Sequence, residues 1–322
     1  MSSKKSKVFF FIVIILVSGL AFIGSAQSFA HSKVIYDDDY YTVNTGQSFN
    51  GLLDDFNLSF HNKFLLKAFI KINGLNLAQA GHYDLEKKSW RGLLNSISVG
   101  DVKIYEFEII PGSNLYDLEV LIRNSNLNND CKNFNCLDTR HSFIEGTIKP
   151  DTYFYKYQSS ASAILVKSQS DFFKISNDLW EKRNPNSPLK SLSEAIILSS
   201  IVEKEAGNDK EKSMIAGVFL HRISLGMRLQ ADPTIIYGLL PDFNGDITKS
   251  NLRDKSNPYN TYQIPGLPPT PISSISQSSL EAVILGEKNE YLYFVANGNG
   301  THDFSRSYKD HLKAVKRYQL KK

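Results

Sequence analysis

The chain is sparing with cysteine. Of its 322 residues only Cys131 and Cys136 are cysteines, both inside the segment NDCKNFNCLD. A metal site built on that pair would need two more ligands, and His141 is the only obvious candidate nearby. In an exported chain two cysteines this close can instead close a short disulfide loop, a local staple. Low-complexity segments and internal repeats are absent as well. With 42% hydrophobic and 22% charged residues, the composition is that of an ordinary globular protein, enough for one large core or two small ones. No basic stripe is present, which argues against nucleic acid as a partner. The formal net charge of +4 is misleading here. Lys4, Lys5 and Lys7 supply three of those charges and residues 8–30 carry none, so everything beyond is close to neutral at +1. An uncharged polymer such as a polysaccharide suits that surface better than a polyanion.

Long apolar runs are scarce, and the exception opens the chain. VFFFIVIILVSGLAFIGSA, Val8 to Ala26, is uncharged over 19 residues, close to the ~20 that cross a bilayer. Lysines precede it and Asp37, Asp38 and Asp39 follow, which keeps residues 1–7 in the cytoplasm and sends the rest outside. The alternative is a cleaved signal peptide, for which SFA at Ser28 to Ala30 is an acceptable site. The run is long for a signal core of about 7–15 residues, which favours an uncleaved anchor over residues 8–26.

Residues 33–105 read as a small α/β module. YYTVNTG has strand character. SFNGLLDDF and HNKFLLKAFIKING are two short helices, the second ending at Gly74, and AGHYDL is extended. Ser89 then precedes Trp90, Leu93, Leu94 and Ile97, one face of a helix. Residues 106–322 read as a larger mixed α+β domain. VKIYEFEII, Val102 to Ile110, is a strand leading into it; Leu115, Leu118, Leu121 and Ile122 mark a helix; FIEGTIKPDTYFY, Phe143 to Tyr155, is strand-like; and a helix is expected from about Ser160 to Trp180. Ser191 and Glu194 form an S-x-x-E capping box that opens a helix apolar almost all round, hence buried, and ended by Gly207. A further helix runs from about Asp209 to Leu225. Asp232 followed by Pro233 reads as N-cap and first helical residue. NPYNTYQIPGLPPTPISS, Asn257 to Ser274, holds too much proline and glycine for regular structure, and long irregular loops are commonly functional. YLYFVANGNGTHDF is a hairpin turning at Asn297 to Gly300, and an amphipathic helix carrying Leu312, Val315 and Tyr318 follows.

The buried helix ends in LSSIVEKEAG, with Glu203 and Glu205 two residues apart. Residues so spaced point about 200° apart, so the two acids cannot share one face. Either one, if surrounded by apolar groups, would have its pKa raised and could act as a proton donor to a leaving oxygen. The plainer reading pairs one glutamate with a base such as Arg222 and leaves the other in solvent. Periodicity does not choose between them.

Longer segments carry a resemblance. IVEKEAGNDKEKSMIAGVFLHRISLGMRLQADPTIIYGL, NPYNTYQIPGLPPTPIS, YLYFVANGNGTHDFS and EGTIKPDTYFY resemble the endolytic murein transglycosylases, the MltG or YceG-like family. AQAGHYDL with the Trp90–Ile97 helix looks like that family's LysM-like glycan-binding module. The resemblance implies a lyase that cleaves the β-1,4 bond between N-acetylmuramic acid and N-acetylglucosamine inside a peptidoglycan strand, leaving a 1,6-anhydro end and stopping elongation. It implies Glu205 as the catalytic acid and base, with Glu203 structural. It also implies glycan contacts at Gln230, Asp232, Thr234, Tyr259, Asn260, Thr261 and His302, and the aromatic Tyr262 of the same loop would likewise suit a sugar face. For Asp232 the N-cap role is a sufficient alternative, and for His302 a satisfied structural histidine is. No metal or cofactor is expected. The implied setting is the bacterial inner membrane, single-pass, with the catalytic domain outside the cytoplasm and peptidoglycan synthases as partners. The chain departs from the family's usual pattern at Pro111, in GTIKP and at His221. Two rival expectations remain: a hydrolysing muramidase using Asp232 as second carboxylate, and a non-catalytic cell-wall scaffold.

Overall fold

The computed structural model describes residues 2–76, 79–86, 88–243 and 245–319; the remaining ends of the expected tail and catalytic domain, Met1 and residues 320–322, lie outside the described residues. The chain is a mixed α+β protein that divides into two compact units. One runs to Tyr105 and includes Phe154–Gln158; the other comprises Glu106–Tyr153 and the chain from Ser159 on.

The first unit begins with helix α1 (Ser2–Ala30). Within it Ser6–Ala30 is long and apolar enough to cross a membrane, by length and composition. Strand β1 (Tyr40–Val43) pairs antiparallel with β2 (Gly81–Asp84), Tyr41 opposite Tyr83. Between them lie α2 (Phe49–Asp55) and α3 (Phe60–Asn73), and α4 (Trp90–Val99) follows. The boundaries are set locally. Ser48, Ser59 and Ser89 each accept a backbone N–H in the first turn of the helix they open, and Gly74 and Gly100 end α3 and α4 in the left-handed conformation that glycine adopts without a Cβ clash. Alternation along β1 sends Tyr41 and Val43 inward to meet Leu53, Leu66, Tyr83, Leu93 and Ile97. Ala26 and Ala30, at the end of α1, are fully buried in the same core.

Strands β3 (Ile104–Ile109) and β4 (Asp151–Lys156) pair with each other. The extended run expected from Phe143 is strand only from Asp151; residues 143–150 are a series of turns in which Gly146, at φ +76°, lies against Pro271 and has no room for a side chain. The second unit is mostly helical: α5 (Leu115–Arg123), α6 (Ala161–Glu181), α7 (Leu192–Glu205), α8 (Lys212–Ser224), α9 (Asp232–Gly238), α10 (Lys249–Arg253), α11 (Gln277–Ile284) and α12 (Tyr308–Tyr318). A hairpin of β5 (Tyr293–Ala296) and β6 (His302–Ser305) precedes α12. Cys131 and Cys136 are joined as a disulfide with Cα atoms 5.3 Å apart, and His141 contacts Ser193.

Helix α7 is the axis of this unit. Residues on every side of it, among them Ala195, Ile196, Leu198, Ile201 and Val202, are buried, and α6, α8, α9 and α11 pack around it. Its N-terminus differs from the expected capping box in one half. Ser191 accepts the N–H of Glu194, but the Glu194 carboxylate takes the N–H of Lys190 rather than that of Ser191. The long segment from Asn257 to Ser274 is irregular, as its prolines require.

Candidate active site

Glu203 and Glu205 sit in the last turn of α7, and their environments differ completely. Glu203 is locked. Lys212 places its Nζ 3.1 Å from Oε1, while Oε2 accepts the Ser276 N–H at 2.9 Å, the Ser276 hydroxyl at 2.5 Å and the Ser279 hydroxyl at 2.7 Å. The side chains of the pair are only 7% and 6% exposed. Lys212 is further held by Asp209, Ser276 and Ser278. The base that takes a glutamate is therefore Lys212, and not Arg222. Arg222 is buried with its guanidinium on two backbone carbonyls, Leu292 at 2.7 Å and Leu229 at 2.6 Å, and lies 5.3 Å from the Tyr293 ring.

Glu205 ends the helix at a cleft of about 490 Å³, which Arg222, Gln230, Asp232, Tyr262 and Tyr293 also line. Among the described residues no donor hydrogen-bonds its carboxyl and no cation reaches ion-pair distance. Loss of hydration against the cleft walls, reinforced by the charge of Asp232 and only partly offset by Arg222, pushes its pKa up to about 8. The C-terminal end of a helix adds a negative dipole that works in the same direction. A carboxyl in this state is neutral at pH 7 and can give up a proton.

The second wall of the cleft is the β5–β6 hairpin, clasped to the turn after Glu205. Asn208 donates to the Gly300 carbonyl at 3.2 Å, and Glu211 accepts both the backbone N–H of His302 (2.7 Å) and its Nδ1 (3.1 Å). A Cβ at Gly207 would lie 2.9 Å from the Gly300 oxygen, so the turn needs glycine to let the hairpin approach. His302 lines the cleft in this clasp.

The remaining expected contacts divide. Gln230 and Asp232 line the cleft; Thr234, Tyr259, Asn260 and Thr261 do not. Thr234, Asn260 and Thr261 are fully buried. Thr261 takes the Ala231 N–H on its hydroxyl (2.9 Å) and the Gln230 N–H on its carbonyl (3.2 Å), and shares a hydrogen bond with Thr234. Asn260 donates to the carbonyls of Asn251 and Asp254, and Tyr259 bonds Thr270. Thr261 thereby holds the backbone at Gln230, whose φ of +52° is rare for a residue with a side chain, while Asn260 and Tyr259 brace the loop itself. Asp232 is not an N-cap: α9 starts at Asp232 itself behind Ala231, and the Asp232 carboxylate instead accepts the Tyr262 hydroxyl at 2.8 Å. Tyr262, expected among the loop's sugar contacts, does line the cleft, while Tyr293 and His311 are cleft residues that the sequence did not single out for the site. Tyr262 stood in the irregular loop already flagged; Tyr293 and His311 gave no signal beyond hairpin and helix periodicity.

The second unit is a mostly helical α+β fold with a cleft centred on the carboxyl of Glu205. The chain belongs to the YceG-like family, whose family model matches residues 41–317. It is 32% identical over 177 residues to the endolytic murein transglycosylase of Bacillus subtilis (strain 168), covering 54% of this chain and 48% of that protein. With the endolytic murein transglycosylase of Streptococcus pneumoniae serotype 2 (strain D39 / NCTC 7466) it shares 28% identity over 181 residues, 52% of this chain and 32% of that protein. The chain thus spans half or less of the length of these curated relatives. A crystal structure described as that of a yceG-like protein from Listeria monocytogenes superposes with a TM-score of 0.57 at 26% identity, covering 85% of this chain and 97% of that one.

Proposed function

We propose that the protein is an endolytic peptidoglycan lytic transglycosylase in which Glu205 is the single general acid and base. The observation that carries the reading is the contrast within one helical turn: Glu203 is fully hydrogen-bonded and ion-paired, while Glu205 is unpaired, held neutral to about pH 8, and opens on a cleft. Protonated Glu205 donates to the glycosidic oxygen as the bond from muramoyl C1 breaks. The carboxylate so formed takes the proton of the C6 hydroxyl as O6 bonds to C1, closing the 1,6-anhydro ring and restoring the acid. No water enters, so no second carboxylate is required to activate one, in contrast to ordinary glycosidases. Gln230, Asp232 and His302 are the polar groups placed to meet sugar hydroxyls and acetamido groups.

The first unit serves as a LysM-like glycan-binding module, and α1 as a single-pass anchor in the inner membrane that leaves the catalytic unit outside the cytoplasm, beside peptidoglycan synthases. Burial of Ala26 and Ala30 supports retention of α1, since cleavage after Ala30 would take both out of the core.

A second reading, hydrolysis, has one observation in its favour: Asp232 shares the cleft with Glu205. One experiment separates the two. The purified full chain and its Glu205→Gln variant are incubated with uncrosslinked glycan strands, and the new ends are weighed. Anhydro ends from the wild type and none from the variant are expected. Ends heavier by one water would establish hydrolysis, and equal activity in the variant would dismiss Glu205.

A further inference from the structure

The apolar span and the core of the first unit overlap. Nineteen residues, Val8 to Ala26, form the uncharged run. At about 1.5 Å per residue they make roughly 28 Å of helix, which is the thickness of a bilayer core, about 30 Å. Packing against the first unit already begins at Phe22, whose ring lies 5.3 Å from that of Phe64 on α3, and it continues through Ala26 and Ala30. The membrane therefore needs the last turn of the run that the unit also uses. Whatever lies beside Phe22 on α3 is brought to the depth of the lipid.

What lies there is apolar. Phe60 is 87% exposed and Phe64 52%, one helical turn apart. Continuing along the same face at helical spacing are Lys67 and Lys71, both exposed. An exposed phenylalanine pair on a free-standing unit costs hydration for no return. Two phenylalanines followed by two lysines along one stripe, next to a membrane-length helix, suit a lipid surface: rings between acyl chains, ammonium groups among phosphates.

We propose that α3 is a second membrane contact of the first unit, with Phe60 and Phe64 inserted in the outer interface beside α1 and Lys67 and Lys71 at the headgroups. This rests on reading α1 as a membrane span. The occupant is the lipid surface, because the patch is continuous with α1: Phe64 packs on Phe22, inside the run whose length and composition match a bilayer.

The test uses the full chain in phosphatidylglycerol–phosphatidylethanolamine vesicles. It has no free cysteine among the described residues, so one introduced cysteine takes an environment-sensitive fluorophore. Labels are placed at Phe11→Cys, Phe60→Cys, Phe64→Cys and Val99→Cys, the last being an exposed apolar position elsewhere in the unit. Brominated lipids are expected to remove at least half of the emission at positions 11, 60 and 64 and almost none at 99. Phe60 touches no core, so its replacement leaves the fold intact, as circular dichroism would verify. If position 11 is quenched and 60 and 64 are as water-exposed as 99, the docking is refuted while the anchor stands. If position 11 is not quenched either, the anchor reading falls first. Emission at 60 that follows protein concentration rather than bromine would assign the face to a second copy and overturn the proposal, as would quenching at 99 equal to that at 60.

Discussion

Lys212 Nζ lies 3.1 Å from Glu203 Oε1, and that one ion pair distinguishes two glutamates that sequence periodicity leaves equivalent. It neutralises the acid that faces the packing and leaves the acid that faces the cleft alone. Opposite consequences follow for the two substitutions. Glu203→Ala removes the buried partner of Lys212 and leaves it only the exposed carboxylate of Asp209, and is expected to cost up to about 3–5 kcal/mol, lowering the unfolding midpoint by at most on the order of 10 °C. Glu205→Gln removes no hydrogen bond and is expected to unfold like the wild type while losing about 10²- to 10⁴-fold in turnover. Thermal unfolding and a glycan-cleavage assay on both variants check this. A Glu205→Gln variant with full turnover would remove Glu205 from the chemistry.

Acidity gives the second prediction. As the proposed proton donor Glu205 would have to be protonated, and with its pKa raised to about 8 by burial, activity should fall as pH rises through about 8. Stability has the same sign. Glu205, at about 8, and Glu145, which burial raises to about 7 despite hydrogen bonds from Leu115, Tyr237 and Gly146, both bind protons in the folded state that the unfolded chain releases near 4.5. The folded state holds more protons between those values, so stability is greatest below about pH 4.5 as far as these two groups go, and declines as pH rises toward 8. Unfolding midpoints measured from pH 5 to 9 should fall with pH for the wild type and fall less for Glu205→Gln.

Asp232 offers a finer test. Its charge is the second cause of the raised Glu205 pKa, after burial. Asp232→Asn should therefore move the alkaline limb of activity to lower pH without abolishing the anhydro product. Under hydrolysis the same variant would lose turnover at every pH, because the group that activates water would be gone. A pH–rate profile of this one variant with product masses decides between the two.

The helix that carries both acids was legible from residue pattern alone: apolar on all sides and opened by Ser191, it could only be buried, although it ends at Glu205 with Ala206 as its C-cap and not at Gly207. The hairpin and the irregular proline-rich segment were legible for equally local reasons, namely turn chemistry and missing N–H donors. The polar residues of that segment were not. Thr261 and Asn260 look like ligands in a sequence, yet a loop that cannot pair with itself needs internal acceptors and donors, and those side chains serve the backbone around Gln230 and Asn251. The Asp-Pro pair misled by one residue. Thr261 holds the Ala231 N–H, the helix starts at Asp232, and the freed carboxylate turns to Tyr262. His311 and Tyr293, stacked 5.2 Å apart, enter the cleft from elements about a hundred residues from Glu205, a distance that no local spacing rule crosses.

The fate of α1 is open to a direct test. Ala30 would be the last residue removed if SFA were a cleavage site, and it is fully buried, as is Ala26, while Phe22 and Phe29 pack against the same core. A chain beginning at His31 would expose the apolar surfaces of α3 and α4 that these four side chains cover, at a cost on the order of a few kcal/mol. The chain extracted from membranes should therefore have the mass of the full sequence, and a chain starting at His31 should unfold at a lower temperature in its first unit. A mature N-terminus at His31 together with an unchanged unfolding midpoint would show that the end of α1 is dispensable to that core.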